Sequence, residues 1–257
     1  MDMRLVHWPD LTSGLTTLAA RDGADAVLVP SFLGLSRDHV AALHGSGLPF
    51  VLLNRHFDDD PDGPAVISDV PAVISDVATG IADLVARFVA DGHRRLALVT
   101  ETSGSSIVAD YRSGWQRSTR AQGVEQDCRI VQVRHSDPAA RQAALVELFD
   151  RPARPTGVVA VSEVMAHEVL LAAAAHGLVV PDDLSVVTFE SAIAPYTSPA
   201  LSSFDLRLSE IGARGVERLA VSLGLLDGAS TTGTERITPS YVERDSTAPA
   251  PATDRTR

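Results

Sequence analysis

Short apolar segments alternate with longer amphipathic segments along most of this 257-residue chain. The segment Ala24–Ser31 (ADAVLVPS) is a nearly continuous apolar run, as expected of a strand that is buried on both faces. The next segment has helical spacing, with Ser36 suited to cap its start and Gly45 suited to end it. Strands that alternate with helices of this length predict βαβ units, parallel sheets and right-handed crossovers. The sequence therefore predicts an α/β fold.

The same alternation continues through the later part of the chain. Further strands are predicted at PFVLLNR (49–55), RRLALVT (94–100), CRIVQVR (128–134), TGVVAVS (156–162) and LSVVTFES (184–191). Helices are predicted at residues 78–92, 108–123, 137–151 and 163–177, the third with Asp137 as cap and Pro138 in its first turn. Ligands in such folds lie beyond the carboxyl ends of the strands. The residues that directly follow the strands are therefore candidates for a binding site.

Composition and charge restrict the classes of function. The formal net charge of −11 should repel DNA phosphates unless a basic module lies elsewhere. Cys128 is the only cysteine, which excludes an internal disulfide and fits a reducing cytoplasm. We see neither a run of about 20 apolar residues nor the pattern of an export signal. These observations favour a cytoplasmic protein that does not span a membrane.

No catalytic or metal-binding motif stands out. The sequence has no Gly-x-Gly-x-x-Gly, no Walker loop and no Gly-x-Ser-x-Gly elbow. The segment HEVLL begins like a zinc-protease helix at His167, but Leu171 occupies the place of the second histidine. We therefore expect no enzyme activity, no metal site and no cofactor.

Five stretches between Ala78 and Pro249 carry a family resemblance. They are DGHRRLALVT (91–100), the long stretch RPTGVVAVSEVMAHEVLLAAAAHGLVVPDDLSVVTFE (154–190), APYTSPALSSFD, LSEIGARGVERL and YVERDSTAP. In this order and spacing they closely resemble the lactose-repressor (LacI) family of transcription regulators. GADAVLVPS and GLPFVLLNR, which come earlier, match the same family less specifically.

The resemblance implies two Rossmann-like subdomains of the periplasmic-binding-protein type I kind, with an effector in the cleft between them. A helix-turn-helix DNA reader normally precedes them in the family, and it is absent from this sequence. RLVHW (4–8) looks like the second strand, so we expect an incomplete N-terminal subdomain without its first strand and helix, as in a truncated regulator or one with a mis-assigned start. The predicted division gives 1–91 and 206–236 to the N-terminal subdomain, 92–205 and 237–247 to the C-terminal one, and 248–257 to a disordered tail.

A direct repeat interrupts this plan. The heptapeptide PAVISDV occurs at Pro64–Val70 and again at Pro71–Val77. The family commonly has Asp-Asn-x-x-Gly at the start of the following helix. Asp76 and Gly80 fit that pattern, with Val77 in place of Asn, whereas Asp69 of the first copy has Val73 where the Gly should stand. The second copy is therefore predicted to be in register, with the first copy as an insertion in a loop, where closure entropy grows only slowly with length.

The resemblance also implies eight effector-binding positions. Glu190 stands at a ligand-binding Asp position directly after a buried strand. Arg112 lies near the family's Arg-x-x-Gly-Phe/Trp motif, where a guanidinium fork suits paired oxygens, although Tyr111 takes the strict position. Glu163 replaces an Asp at the head of a helix, where it could instead serve the helix dipole. The other positions are strand ends that face the cleft in the family: Asp76, Ser106, His135, Ser31 and Phe32.

The leading interpretation is the ligand-sensing, dimerising core of a LacI-type DNA-binding transcriptional regulator that responds to a sugar or related metabolite. Its expected partners are a small-molecule effector and a second copy of the chain, with DNA reached only through a helix-turn-helix. The alternative is the solute-binding protein of a sugar transporter. The lack of an export signal and the YVERDST segment favour the regulator.

Overall fold

The computed structural model describes Gly14 and residues 24–30, 35–57, 70–134, 136–228 and 232–252. The described residues form two compact units. One contains the chain up to Ile74 together with Ser209–Ile237, and the other contains Ser75–Leu208 together with the chain from Thr238 onward. Each unit is an α/β layer built on its own sheet.

The first unit has a four-stranded sheet in the order β1 (Val27–Pro30), β2 (Phe50–Leu53), β3 (Ala72–Ser75) and β9 (Thr234–Ile237). Strand β2 pairs in parallel with both β1 and β3. The connecting helix α1 (Arg37–Ser46) ends at Gly47, whose φ of 71° is left-handed, and not at Gly45 as predicted. Both glycines could end a helix, but only Gly47 has the left-handed backbone of a helix stop. The predicted strand near residues 4–8 lies outside the described residues.

The second unit has a six-stranded sheet. Its order is β10 (Ser240–Val242), β8 (Ser202–Asp205), β7 (Ser185–Phe189), β6 (Gly157–Ala160), β4 (Leu96–Glu101) and β5 (Arg129–Val133). All neighbouring strands are parallel except β10, which runs antiparallel to β8. Its helices are α2 (Val77–Ala90), α3 (Ser106–Ala121), α4 (Pro138–Asp150) and α5 (Glu163–Ala175). As predicted, Asp137 caps α4, with Pro138 in its first turn.

Helix α6 (Leu208–Ser222) follows the second unit in sequence but packs in the first. Its buried residues Ile211, Gly215 and Leu219 fall on one stripe, and a Cβ on Gly215 would lie 2.5 Å from a methyl group of Leu53. Helix α6 therefore belongs to the first unit, although the chain reaches it after the second.

The chain passes between the units three times, at 74/75, 208/209 and 237/238. The predicted division placed the first passage at residue 91. The difference is α2, which packs inside the second unit: a Cβ on Gly80 would lie 2.9 Å from the ring of Phe189, and one on Gly114 would lie 3.0 Å from Cα of Ala78. The apolar face of α2 therefore belongs to the core of the six-stranded sheet.

The second copy of the repeat supplies both β3 and the start of α2. Ala72–Ser75 forms the strand, and Asp76 caps the helix. This agrees with the predicted register. Only Val70 of the first copy lies within the described residues, where it is buried beside Ala72 and Ile74.

The segment after β10 is bound to the second unit. Ser246 Oγ donates a hydrogen bond to the Val186 carbonyl (2.6 Å), and the ring of His93 lies 3.0 Å from the Ala248 carbonyl oxygen. Ala250 is 1% exposed, and its N–H donates to the Asp91 carbonyl. The prediction of a disordered tail from residue 248 is therefore wrong for 248–250, because backbone hydrogen bonds hold this part of the Pro/Ala-rich segment. Residues 253–257 lie outside the described residues.

We predict that Gly114→Ala destabilises the second unit by about 1–3 kcal/mol, because the added methyl group must force apart the backbones of α2 and α3. Gly212→Ala on α6 is the matched control. Its Cβ would meet no atom within 4 Å, so the better helix propensity should add up to ~1 kcal/mol of stability. Calorimetric melting of both variants checks this, and equal effects would contradict the close packing of α2 and α3.

Candidate functional site

Three glutamates follow three adjacent strands of the six-stranded sheet. Glu101 ends β4, Glu163 follows β6, and Glu190 directly follows β7, in a sheet where β6 lies between the other two. Because parallel strands end at a common edge, these residues all stand at its carboxyl edge, the usual ligand-binding edge of such a fold.

Glu163 is used within the fold. Its side chain begins α5 and is only 5% exposed. One carboxylate oxygen, Oε1, accepts hydrogen bonds from the backbone N–H groups of Ile193 (2.6 Å) and Ala194 (2.5 Å). These two donors open the 3₁₀ turn Ala194–Tyr196, so Glu163 ties the first turn of α5 to that turn.

Glu190 is held in an unusual conformation. Its φ of 147° lies in the region that favours glycine, and its N–H is hydrogen-bonded to the Phe204 carbonyl at 3.0 Å. Its Oε2 accepts a hydrogen bond from the backbone N–H of Glu163 at 3.3 Å. Partial burial, followed by the charges of Glu163 and Glu101, raises the pKa of Glu190. No ion pair to Glu190 occurs among the described residues, so this carboxylate lacks a cationic partner within them.

Aromatic side chains pack around Phe189, the last residue of β7. Phe189 stacks on Phe204 with ring centroids 4.9 Å apart, and Tyr111 meets Phe189 edge-on at 4.9 Å. Burial, then the charges of Glu190 and Asp110, raise the pKa of Tyr111 well above its ordinary value. Tyr111 is therefore a neutral core residue, and it lies close enough to Glu190 for that charge to raise its pKa.

Arg112 follows Tyr111 on α3 and is half-buried. Its Nε is buried and has no hydrogen-bond partner among the described residues. The next positions of the motif are explained by packing, because Gly114 contacts Ala78 and Trp115 is buried in the core. Arg112 thus has a buried donor without an acceptor, whereas Tyr111, at the strict family position, is part of the core. A ligand role for Arg112 stays a prediction.

The other candidates have different placements. Asp76 caps α2, with Oδ1 accepting from the Thr79 N–H and Oδ2 from its hydroxyl (2.7 Å). Ser106 is the first residue of α3 and is half-buried. Ser31, Phe32 and His135 lie outside the described residues. A ligand role for any of these five residues stays a prediction.

Sequence reasoning did not include Glu101 or Tyr111 among the site residues. Glu101 directly follows LALVT, so its position at a strand end was a usable signal. Tyr111 stands at the strict position of the family motif, but the sequence does not show that it lies near Glu190, because that proximity depends on how α3 packs against β7. Within the described ranges, no cluster of His, Cys, Asp and Glu could hold a metal ion, and no helix has the length and apolarity to cross a membrane.

Known proteins share both the sequence pattern and the fold. Residues 85–247 match the family of periplasmic binding protein-like domains. The transcriptional regulator AscG of Escherichia coli is 28% identical over 163 residues, which are 63% of this chain and 48% of that protein. GalS of Salmonella typhimurium is 28% identical over 162 residues, 62% of this chain and 46% of that protein. The chain spans about half the length of these curated relatives.

Solved structures show the same fold over most of the chain. A LacI family regulator from Bifidobacterium animalis superposes with a TM-score of 0.79 at 21% identity, covering 95% of this chain and 86% of that one. A LacI family regulator from Mycobacterium smegmatis gives a TM-score of 0.74 at 26% identity, covering 93% and 84%. Both curated relatives are transcriptional regulators of the helix-turn-helix type. The chain belongs to the periplasmic binding protein-like family, as an effector-binding domain of the LacI-type transcriptional regulators.

Proposed function

We propose that this chain senses a sugar or a related small metabolite and acts as the ligand-binding, dimerising core of a cytoplasmic LacI-type regulator. The observation that carries the proposal is Glu190, a strained, partly buried carboxylate at the carboxyl edge of the sheet, without a cation among the described residues. Backbone strain of this kind persists where the surroundings impose it, commonly at ligand sites.

The chemistry of the edge suits a polyhydroxylated ligand. A carboxylate accepts hydrogen bonds from neighbouring hydroxyl groups, and the free Nε of Arg112 can donate to a ligand oxygen. Glu163 supports this arrangement from the side, because its own backbone N–H fixes Glu190 Oε2. Effector binding would shift the population of conformations of the domain. Transmission to DNA would need a helix-turn-helix reader, as named for the relatives AscG and GalS.

A homodimer is part of the proposal, and α5 offers a surface for it. Val164, His167 and Leu171 are exposed at helical spacing on one face, with Leu171 58% exposed. Ile193 and the 86%-exposed Tyr196 add apolar surface at the 3₁₀ turn that Glu163 holds. We call these five residues the α5 face. A cluster of exposed apolar side chains commonly marks a protein interface.

The first test compares the sugar affinity of the parent chain with that of Glu190→Gln. Glu190→Gln should weaken binding of the best sugar from a thermal-shift panel of pentoses, hexoses and disaccharides by about one to two decades, or ~1–3 kcal/mol. The reason is that the amide replaces one accepting oxygen by a donor and removes the charge that strengthens the other hydrogen bond. The measurement is calorimetric titration of parent and variant. Unchanged affinity in Glu190→Gln would exclude this carboxylate from the site.

Stability should change in opposite directions in Glu190→Gln and Glu163→Gln. The raised pKa of Glu190 means that the folded state holds this proton more tightly than the unfolded chain, so its ionisation disfavours folding at neutral pH. Glu190→Gln should therefore raise Tm at pH 7, and the gain should fade as the pH falls through the ordinary carboxyl range. Glu163→Gln should lower stability by about 1–3 kcal/mol, because it weakens two charge-assisted hydrogen bonds to buried N–H groups. Melting curves from pH 4 to 8 measure both effects, and a lower Tm for Glu190→Gln at pH 7 would contradict the assignment.

The dimer is tested by Leu171→Glu. A charge on the α5 face should convert the dimer into a monomer, because a carboxylate buried without a partner in the interface is costly. Leu225→Glu is the matched control, since Leu225 is an exposed leucine of the other unit. Sedimentation equilibrium gives the masses. A monomeric parent chain, or dissociation by both variants alike, would rule out this face.

A further inference from the structure

Arg55 is a buried cation in the first unit. It follows β2 through Asn54, whose φ of 54° is left-handed and whose N–H donates to the Val73 carbonyl. Arg55 comes directly after this turn, and its side chain is only 5% exposed. The residue thus stands at the carboxyl end of a parallel strand, where α/β sheets bind ligands.

The guanidinium of Arg55 is only partly satisfied. Its Nη2 donates to the Leu35 carbonyl at 3.0 Å, and its Cζ lies 5.4 Å from the centre of the Phe57 ring. Its Nε and Nη1 are buried and have no hydrogen-bond partner, and no ion pair of Arg55 occurs within the described ranges. Two donors with fixed relative geometry on one side chain are therefore left without an acceptor.

An arginine in this position cannot relieve its burial by losing its proton at neutral pH. Burial lowers the pKa of Arg55, but a guanidinium has so high an ordinary pKa that it stays charged. One backbone carbonyl and one aromatic ring offset only part of the cost of removing this charge from water. An oxyanion that accepts from Nε and Nη1 would satisfy the remaining donors in the fork geometry that arginine shows with carboxylates and phosphates.

A second feature favours an anion at the same place. Leu35 immediately precedes Ser36, the N-cap of the ten-residue helix α1, so the guanidinium is tied to the start of that helix. Helix N-termini carry partial positive charge and attract anions. Arg37 adds a second cation, with its Cζ 5.8 Å from the same Phe57 ring. The acidic residue of this first turn, Asp38, is exposed.

We propose that Arg55, with the N-terminus of α1, forms an oxyanion-binding position in the first unit. Its ligand is a carboxylate or a phosphate-like group, either as a free inorganic ion or as the acidic group of a small organic molecule. The proposal is independent of the sugar-sensing role of Glu190, because it concerns other residues in the other unit.

The test uses the full 257-residue chain and three substitutions. Tm and calorimetric titration are measured with sodium sulfate and sodium phosphate against sodium chloride at equal ionic strength, and with glucuronate against glucose. Arg55→Met removes the charge, and Arg55→Lys keeps the charge but removes the fork. Arg236→Met is the matched control, because Arg236 is an exposed arginine of the same unit. General salting effects of sulfate act on all four chains alike and cancel in the comparison.

The expected result is saturable oxyanion binding by the parent and by Arg236→Met, weakened at least tenfold in Arg55→Met and to a smaller extent in Arg55→Lys. In chloride alone, Arg55→Met should melt at or above the parent temperature, because it removes a buried cation with unsatisfied donors. Glucuronate binding without a sulfate or phosphate response identifies an organic acid as the source, and the reverse identifies an inorganic ion.

Two outcomes overturn the proposal: equal oxyanion binding by the parent and Arg55→Met, and no oxyanion binding by the parent. If Arg55→Met does not fold, equal binding by the parent and Arg55→Lys overturns it in the same way. Neutral sugar binding that depends on Glu190 would still stand in each case, so the two proposals fail separately.

Discussion

The hydrogen bonds accepted by Glu163 are the interaction on which the candidate site depends. A carboxylate so little exposed to water must be satisfied by donors, and the N–H groups of Ile193 and Ala194 supply them. Those bonds fix the 3₁₀ turn after β7, while the N–H of Glu163 itself binds Glu190. One residue therefore holds the Glu190 carboxylate through its backbone N–H, and through its side chain it holds the turn that carries Ile193 and Tyr196 of the α5 face.

Glu190 contrasts with Glu163 although the two residues have the same chemistry and are neighbours. Glu163 has strong donors and a regular helical position, so its charge stabilises the fold. Glu190 has a left-handed backbone, a single long hydrogen bond from a backbone donor and two carboxylates close enough to raise its pKa. The environment makes Glu163 a structural acid, and it leaves Glu190 without a comparable set of donors, as our proposal for a ligand at Glu190 requires. The division follows from burial and donors, because the sequence shows Glu at both positions.

The fold class and the register of the repeat could be predicted from sequence because they depend on local patterns: apolar runs of strand length, and the Asp76 cap before an amphipathic helix. The position of Glu190 at a strand end is equally local. The role of Glu163 could not be predicted, since its partners lie thirty residues away in a turn without regular periodicity. The assignment of α2 to a unit failed for a similar reason, because an apolar helix face does not reveal which sheet it covers. Ala250 was missed because backbone hydrogen bonds, and not its composition, hold its segment.

The C-terminal segment has a consequence for how the chain is made. Strand β10 pairs with β8, and Ser246 and Ala248 bond to β7, so the sheet of the second unit receives its edge strand and part of its hydrogen bonding from residues beyond 239. A ribosome that has released residues up to about 208 has delivered most of this unit but none of those partners. The first unit likewise waits for α6 and β9. Domains usually fold in order as they leave the ribosome, but here neither unit is complete until strands that follow residue 233 have emerged.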